Sequence, residues 1–363
     1  MAETKIKTGK IKEKKLVEMF ASETIKKSYA EKGHFVSSQK KDLLEKVSRH
    51  CEIEDLGNQV YEIKNVYQYT LPATFKKMNK SLYQYICPLL IKSLIDGHDE
   101  NHKIDITLGR WAREINMVNN NYSFIKYNRS GLSSKINCSI DTIDDFYDRA
   151  DDMIERYIIN ALDYMKASGL IIWRDVYRVN QEVTNDSCTI DENGNVYVDI
   201  TIDSHQASKK EMEFYSTCVG IADKEANIKN ASERYYSNKA QKFNEVLKRE
   251  LYKKKIKCIY KTYEAYYTNL DKCKFILSRF GNIDWDNLIK CFNDDFTNMI
   301  TENAGKRFDK NPDKYIEYES KDNYQLSFRG LCELTIGKDA EYLNTNNGNQ
   351  NYSLHVRTGY SKK

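Results

Sequence analysis

Chemistry in this chain would have to come from a few clusters of reactive residues. Tyr235-Tyr236 followed by Lys239 would suit a phenolate attacking phosphate, but no paired histidines accompany it. His355-Val356-Arg357 with Tyr360 lacks the further Arg, Lys and His residues that such a nucleophile needs. Pro312-Asp313 and Glu319-Ser320-Lys321 imitate a metal-dependent nuclease signature, yet five intervening residues are too few to put Asp and Glu on adjacent strands. Asp144, Asp148, Asp151, Asp152 and Glu155 form a carboxylate row that could attract a divalent cation, although helix-face carboxylates ordinarily stay solvated. Gly-rich phosphate loops, HExxH and GxSxG are all absent. Nine cysteines (51, 87, 138, 188, 218, 258, 273, 291, 332) form no CxxC pair and read as free thiols of a reducing cytosol. The expectation is a protein without catalytic residues, metal or cofactor. It is not an enzyme on this reading; it binds.

Two segments have the composition for binding nucleic acid. Residues 119–137, NNNYSFIKYNRSGLSSKIN, interleave Asn, Ser, Lys and Arg with Tyr122, Phe124 and Tyr127. Asn pairs with adenine edges, Arg with guanine edges or phosphates, and Ser with phosphates. The candidates are Asn121, Ser123, Lys126, Asn128, Arg129 and Lys135, with Arg110 and Arg113 just upstream. Further on, Lys248, Arg249, Lys253, Lys254, Lys255, Lys257 and Lys261 oppose only Glu250. Tyr252, Tyr260, Tyr263, Tyr266 and Tyr267 interleave them, so Lys253, Lys254, Lys255 and Lys257 are candidates for phosphate contacts. Each segment has a plain alternative, an exposed polar loop and a solvated lysine face.

These residues need elements to hold them. The chain has 363 residues, 40% hydrophobic, with 27 Tyr, 13 Phe, 15 Gly and 3 Pro. Such a composition fills cores and leaves little linker, and implies an α+β, predominantly helical protein. Net charge is +4, too small to argue for nucleic acid except through its distribution. The most strongly patterned stretch is 141–179. Apolar residues at 143, 146, 147, 150, 153, 154, 157, 158, 161, 162 and 165 predict a long two-faced helix, capped by Asp141 and stopped at Gly169. LIIWRDVYRV then predicts a strand, and CTIDENGNVYVDITID a hairpin about Asn193-Gly194.

Upstream, a helix is expected over 40–51 and a strand in QVYEIKNVYQYT. Ser81 should cap a helix over 81–95 that Pro88 kinks or begins. A short strand is expected at 103–106, and Thr107 should cap a helix with Leu108, Trp111, Ala112 and Ile115 on one face. Downstream, Ser208-x-x-Glu211 is a capping box. Residues 231–270 lack Pro and Gly and read as one helix of about 60 Å at 1.5 Å per residue. A helix is expected over 284–300, and one or two strands over 324–336. No internal repeat is visible in the sequence. Residues 103–140 hold six basic against two acidic residues, whereas 141–155 hold seven acidic against Arg149. The long helix is therefore expected to be a scaffold, with any groove reader beside it.

TLGRWAREINMV (107–118) resembles the first helix and turn of a helix-turn-helix, and ALDYMKASGLIIWRDVYRV (161–179) the closing helix and strand of a winged helix. In these two stretches the chain is similar to winged-helix replication initiators and regulatory proteins carried by plasmids and phages of low-GC Gram-positive bacteria. The resemblance implies a winged-helix-like domain followed by a helical domain with a long helix. It also implies duplex DNA as partner, bound for replication initiation or transcriptional regulation.

The expected organisation is a basic N-terminal arm (1–40), a helix-strand unit (41–73), a winged-helix-like domain (74–203), a helical C-terminal domain (204–340) and a polar mobile tail (341–363). A homodimer through the C-terminal helices would be compatible. No run approaches the ~20 apolar residues needed to span a bilayer, so no membrane and a cytoplasmic location are expected. The rival is a non-enzymatic interaction module, such as a phage-encoded inhibitor or acidic DNA mimic acting on a host nucleic-acid enzyme through the carboxylate row.

Overall fold

Leu16 and Val17 are buried against Leu43, Val47, Cys51, Tyr61 and Ile63, and this small core organises the first part of the computed structural model. The structure describes residues 6–337 apart from 36, 98–102, 128, 130–132, 134–137, 191–195, 232, 237–238 and 319, with backbone alone at 127, 184–190, 196–200 and 236. The first unit runs β1 (Gly9–Lys12), α1 (Glu13–Phe20), α2 (Glu23–Lys32), α3 (Ser37–Ser48), β2 (Cys51–Asp55) and β3 (Val60–Val66). Its antiparallel sheet has the order β1-β3-β2. Gly9–Lys32, expected within a basic arm, is therefore strand and helix. Its lysines face solvent while Ile11, Leu16, Val17 and Phe20 supply the apolar side. Buried Glu13 is satisfied by the Tyr61 hydroxyl, which donates to it at 2.9 Å.

After α4 (Phe75–Met78) and α5 (Tyr83–Asp96), the order of elements repeats. Strand β4 (Lys103–Ile106) leads into α6 (Leu108–Glu114), α7 (Asn120–Tyr127) and α8 (Ile140–Ala167), and then into β5 (Ile171–Ile190). The chain next makes a long excursion: β6 (Val196–Gln206), α9 (Lys209–Ala226), α10 (Glu233–Tyr236) and α11 (Ala240–Tyr252). It returns as β7 (Ile256–Tyr267), and the antiparallel sheet has the order β4-β7-β5-β6.

Without β6 the order β4-β7-β5 matches β1-β3-β2. In each unit the last strand is central, and the first strand leads into three helices among the described residues. Trp111-Ala112 stand in α6 where Leu16-Val17 stand in α1, four and five residues after the end of the strand or its cap. The fold thus contains a repeat that the sequence does not display. What recurs is the pattern of apolar and polar positions, which different residues satisfy equally well. Residues 182–255 form an insertion in the second copy, since β5–β7 pairing ends at Gln181↔Ile256.

Helix α8 bears out the predicted stripe. All its expected apolar positions are buried except half-buried Tyr157. Its N-cap is Ser139, whose hydroxyl accepts from Thr142 N–H, and not Asp141, which lies in the first turn. At the other end Gly169 takes φ +62° and Leu170 N–H returns to the Met165 carbonyl at 3.0 Å, so strand β5 starts immediately.

Helices α12 (Leu270–Ser278), α13 (Trp285–Lys310), α14 (Pro312–Ile316) and α15 (Lys321–Thr335) close over α8. Phe146 meets Phe328 edge-on at 5.5 Å between ring centroids. One buried cluster draws on residues from Leu71 to Ile171 and again from Tyr263 to Ile336, while the excursion between them packs in two smaller clusters, around Cys218 and Leu251 and around Ala222 and Phe243. The apolar stripes of these C-terminal helices are largely taken up within the chain, while Ile316 and Leu326 remain exposed.

Three local expectations are corrected. Residues 231–270 are not one helix: α11 ends at Tyr252, Lys255 adopts φ +58°, and the Lys-Tyr segment continues as β7. Tertiary pairing on both edges of β7 outweighs its helix-compatible composition. Residues 324–336, expected as strand, belong to α15, where Tyr324, Phe328, Leu331, Cys332 and Thr335 are buried at helical spacing. Ser81 does not cap α5, because it sits at φ +50° and Leu82 takes the N-cap position. Pro88 lies inside α5 rather than in its first turn. The expected turn at Asn193-Gly194 and the tail 341–363 lie outside the described residues.

Candidate nucleic-acid interface

Thr107 accepts from Arg110 N–H and starts α6, which directs Trp111 inward, where its indole N–H donates to the Tyr263 carbonyl at 3.2 Å. That contact ties α6 to the central strand and leaves Arg110 and Arg113 exposed on the outer side. Arg110 lies 3.6 Å from Glu114 across one turn. After the Asn116–Asn119 turn, α7 packs on α8 and α15 through Tyr122 and Ile125.

The α6–α7 corner, α8 and the inserted segment enclose a cleft of about 830 Å³. Arg113, Ser123 and Lys126 line it together, joined by Lys261 from β7. Facing them are Asp148, Asp151, Asp152 and Glu155, successive residues of one α8 face. Lys126 Nζ meets Asp151 Oδ2 at 2.5 Å, and the Tyr122 hydroxyl donates to the other oxygen of that carboxylate at 2.9 Å. Tyr263 donates to Glu155 at 3.1 Å. Beyond the cleft, Arg129 pairs with Asp144 and lies 5.6 Å from the Tyr147 ring centre. The acidic residues of α8 therefore hold Lys126 of α7 and Arg129 just beyond it. Charge that looked separate in sequence is neutralised in space.

Asn121, expected at bases, is buried. It is 2% exposed, and its amide nitrogen donates to the Leu334 carbonyl at 3.2 Å, fastening α7 to the end of α15. Ser123 is half-buried in the cleft wall. Asn128 and Lys135 lie outside the described residues.

The other candidates sit together elsewhere. Lys253, Lys254 and Lys255 form the exposed turn between α11 and β7, with exposed Lys257 just inside the strand. Lys253 pairs with Glu250 and Lys257 with Glu182 at 3.2 Å, while Lys254 lies 4.1 Å from the Phe214 ring centre. None of these four lines the cleft.

The first unit, expected as a basic arm and a helix-strand unit, carries cations outside the candidate set. Lys7 just before β1, and Lys10, Lys12, Lys14 and Lys15 along β1 and α1, are exposed, and α3 presents Ser37, Ser38, Lys41, Asp42, Glu45 and Lys46 outward. The available signal was Leu43, Leu44 and Val47, whose helical spacing assigns the intervening positions to an outer face. The sulfur chemistry is quiet: burial pushes Cys51 and Cys273 up to about 11 and Cys332 up to about 12, far from thiolate nucleophiles. Among the described residues, no helix is long and apolar enough to cross a membrane.

No family model, curated protein or solved structure matches this chain. Function must therefore be read from topology and surface chemistry.

Proposed function

We propose that this protein binds duplex DNA through two winged-helix-like units, as replication initiators or transcriptional regulators of mobile elements do. One observation carries the proposal: the strand, helices and hairpin strands of the first unit recur in the second with the same sheet order. In such units the helix before the hairpin enters the major groove and the hairpin reaches the neighbouring backbone. In the first unit that helix is α3, whose outer face offers serine hydroxyls and the ammonium groups of Lys41 and Lys46 beside the carboxylates of Asp42 and Glu45, the latter paired with Lys76 at 3.0 Å.

In the second unit the hairpin position falls where β5 and β7 part. Lys253, Lys254, Lys255 and Lys257 stand at that point, suited to phosphates. Arg110 and Arg113 complete the proposed DNA-facing set from α6. The long helix α8 stands in the second unit where α3 stands in the first, but it stays a scaffold. This unit therefore offers DNA only its hairpin position and α6, and the work is done in the cytoplasm.

A second reading has its own support. Asp148, Asp151, Asp152 and Glu155 outnumber the cations of the cleft they line, a surface suited to a basic protein partner. Binding to a short duplex across a salt series separates the two. Six phosphate contacts predict an affinity that falls by roughly a thousandfold between about 50 and 200 mM salt. No salt-sensitive binding at about 50 mM would sink the DNA proposal and favour the acidic face.

A further inference from the structure

On another side of the scaffold, α8 and α13 meet along a groove of about 360 Å³, within the size range of small-ligand sites. Arg149 and Arg156 come from α8, and Lys306, Arg307 and Lys310 from α13; Asp152 is the one carboxylate among the described lining residues. The spacing brings them together. Positions 149 and 156 are two helical turns apart, and 310 lies one turn beyond 306 and 307.

Five cations in so small a volume repel one another, so their counter-charges matter. Asp145 lies 3.7 Å from Arg149 and 3.4 Å from Arg307, while Asp148 lies 3.5 Å from Arg149. Asp145 also accepts from the Tyr324 hydroxyl, so one buried carboxylate faces two guanidinium groups and a phenol while hydrogen-bonding only Arg307 and Tyr324. Glu302 meets Lys306 at 3.5 Å where both are well exposed, an arrangement that contributes little. Arg156 and Lys310 have no ion pair among the described residues.

The site is also held in shape. The Arg307 guanidinium lies 5.2 Å from the Phe328 ring centre, with Asp145 beside it. The Nε atoms of both Arg149 and Arg307 are covered and lack an acceptor, so neither guanidinium is fully satisfied by the protein.

We infer that this groove binds a phosphate chain, carried by a nucleotide or by a nucleic-acid strand lying across α8 and α13. Guanidinium groups pair with phosphate oxygens through two parallel N–H donors, and the lysines add charge without demanding an orientation. The inference goes beyond DNA binding by the two units, because it needs only clustered phosphates.

The test titrates the full chain with inorganic tripolyphosphate, with ATP and with a short duplex. The comparison is a variant carrying Arg156→Glu and Lys310→Glu, both at exposed positions, with circular dichroism to verify its fold. Tripolyphosphate should bind the native chain, and the variant should bind it at least about tenfold more weakly. An equal loss for ATP identifies a nucleotide as the source, and a loss of duplex affinity identifies a strand; either result supports the groove. Absence of binding to all three probes, or binding that the variant leaves unchanged, overturns it. Tripolyphosphate binding without any duplex binding by the native chain overturns the DNA proposal and leaves the groove standing.

Discussion

Lys126 Nζ meets Asp151 Oδ2 at 2.5 Å, so a cation expected to read DNA from α7 is held by the scaffold helix behind it. This one pair moves the proposed DNA contacts away from α7.

Charge removal tests that move. Lys126→Ala should change duplex affinity by less than about twofold, since its charge is already matched locally. Replacing Lys253, Lys254 and Lys255 together by Ala should weaken binding and reduce the salt slope by about 2–3, at roughly 0.9 for each phosphate no longer neutralised. A larger effect from Lys126 than from the three lysines would return the interface to α7.

The insertion can be removed. Joining Gln181 to Ile256, paired neighbours in the sheet, through a short Asn-Gly turn should leave β4-β7-β5 intact. Stability should fall, because Val179, Ile256 and Ile259 lose the cover of Cys218 and Leu251. Each newly exposed large apolar side chain costs about 1.5–3 kcal/mol, readable by urea unfolding. A shortened chain without a cooperative transition would show that the segment is integral to the fold instead.

His205 gives the start of α9 a pH dependence. Its ring bridges Glu211 at 2.8 Å and Asp203 at 2.9 Å. The hydrogen bond with Glu211 raises the His205 pKa above the usual 6.5, burial opposes the rise, and Asp203 adds to it. Burial pushes Glu211 up, but hydrogen bonds from the Ser208 hydroxyl, His205 and the Ser208 N–H outweigh it and bring the carboxyl down to about 2. The histidine's contribution is therefore complete below its unfolded pKa and lost as pH rises through the folded one. The Glu211 contribution is present above its ordinary 4.5 and lost as pH falls toward about 2. With the ring about a third exposed, the histidine part is worth about 0–1 kcal/mol. Amide exchange in the first turn of α9 should quicken from about pH 6 to 8 beyond its intrinsic rise, and His205→Gln should abolish that excess. An unchanged excess in the variant would assign it to another group.

Gly169 is the hinge from scaffold to sheet. A Cβ there would meet only Lys272 Nζ at 3.5 Å, an ordinary van der Waals distance, so space is not the constraint. The cost of Gly169→Ala is conformational, about 1–2 kcal/mol for an L-residue in the left-handed region at φ +62°. Thermal unfolding should show a lowered midpoint; an unchanged one would mean that the turn relaxes to another conformation.

Local periodicity carried much of the fold. The eleven-position stripe of α8, the Thr107 and Ser208 caps and the Gly169 stop were legible because each depends on neighbours within a few turns. Three kinds of feature were not. The Lys-Tyr segment became β7 because its partners, β4 and β5, lie far away in sequence and pair with both its edges. The repeat stayed hidden because Leu16-Val17 and Trp111-Ala112 share burial but not identity, and because 182–255 separate β5 from its partner. The site was least legible of all. Asn121, Lys126 and Arg129 have the residue types that read DNA, and sequence alone determined those types. Whether a side chain is available depends on what stands opposite it. Leu334, Asp151 and Asp144 come to that position only when α15 and α8 pack against α7.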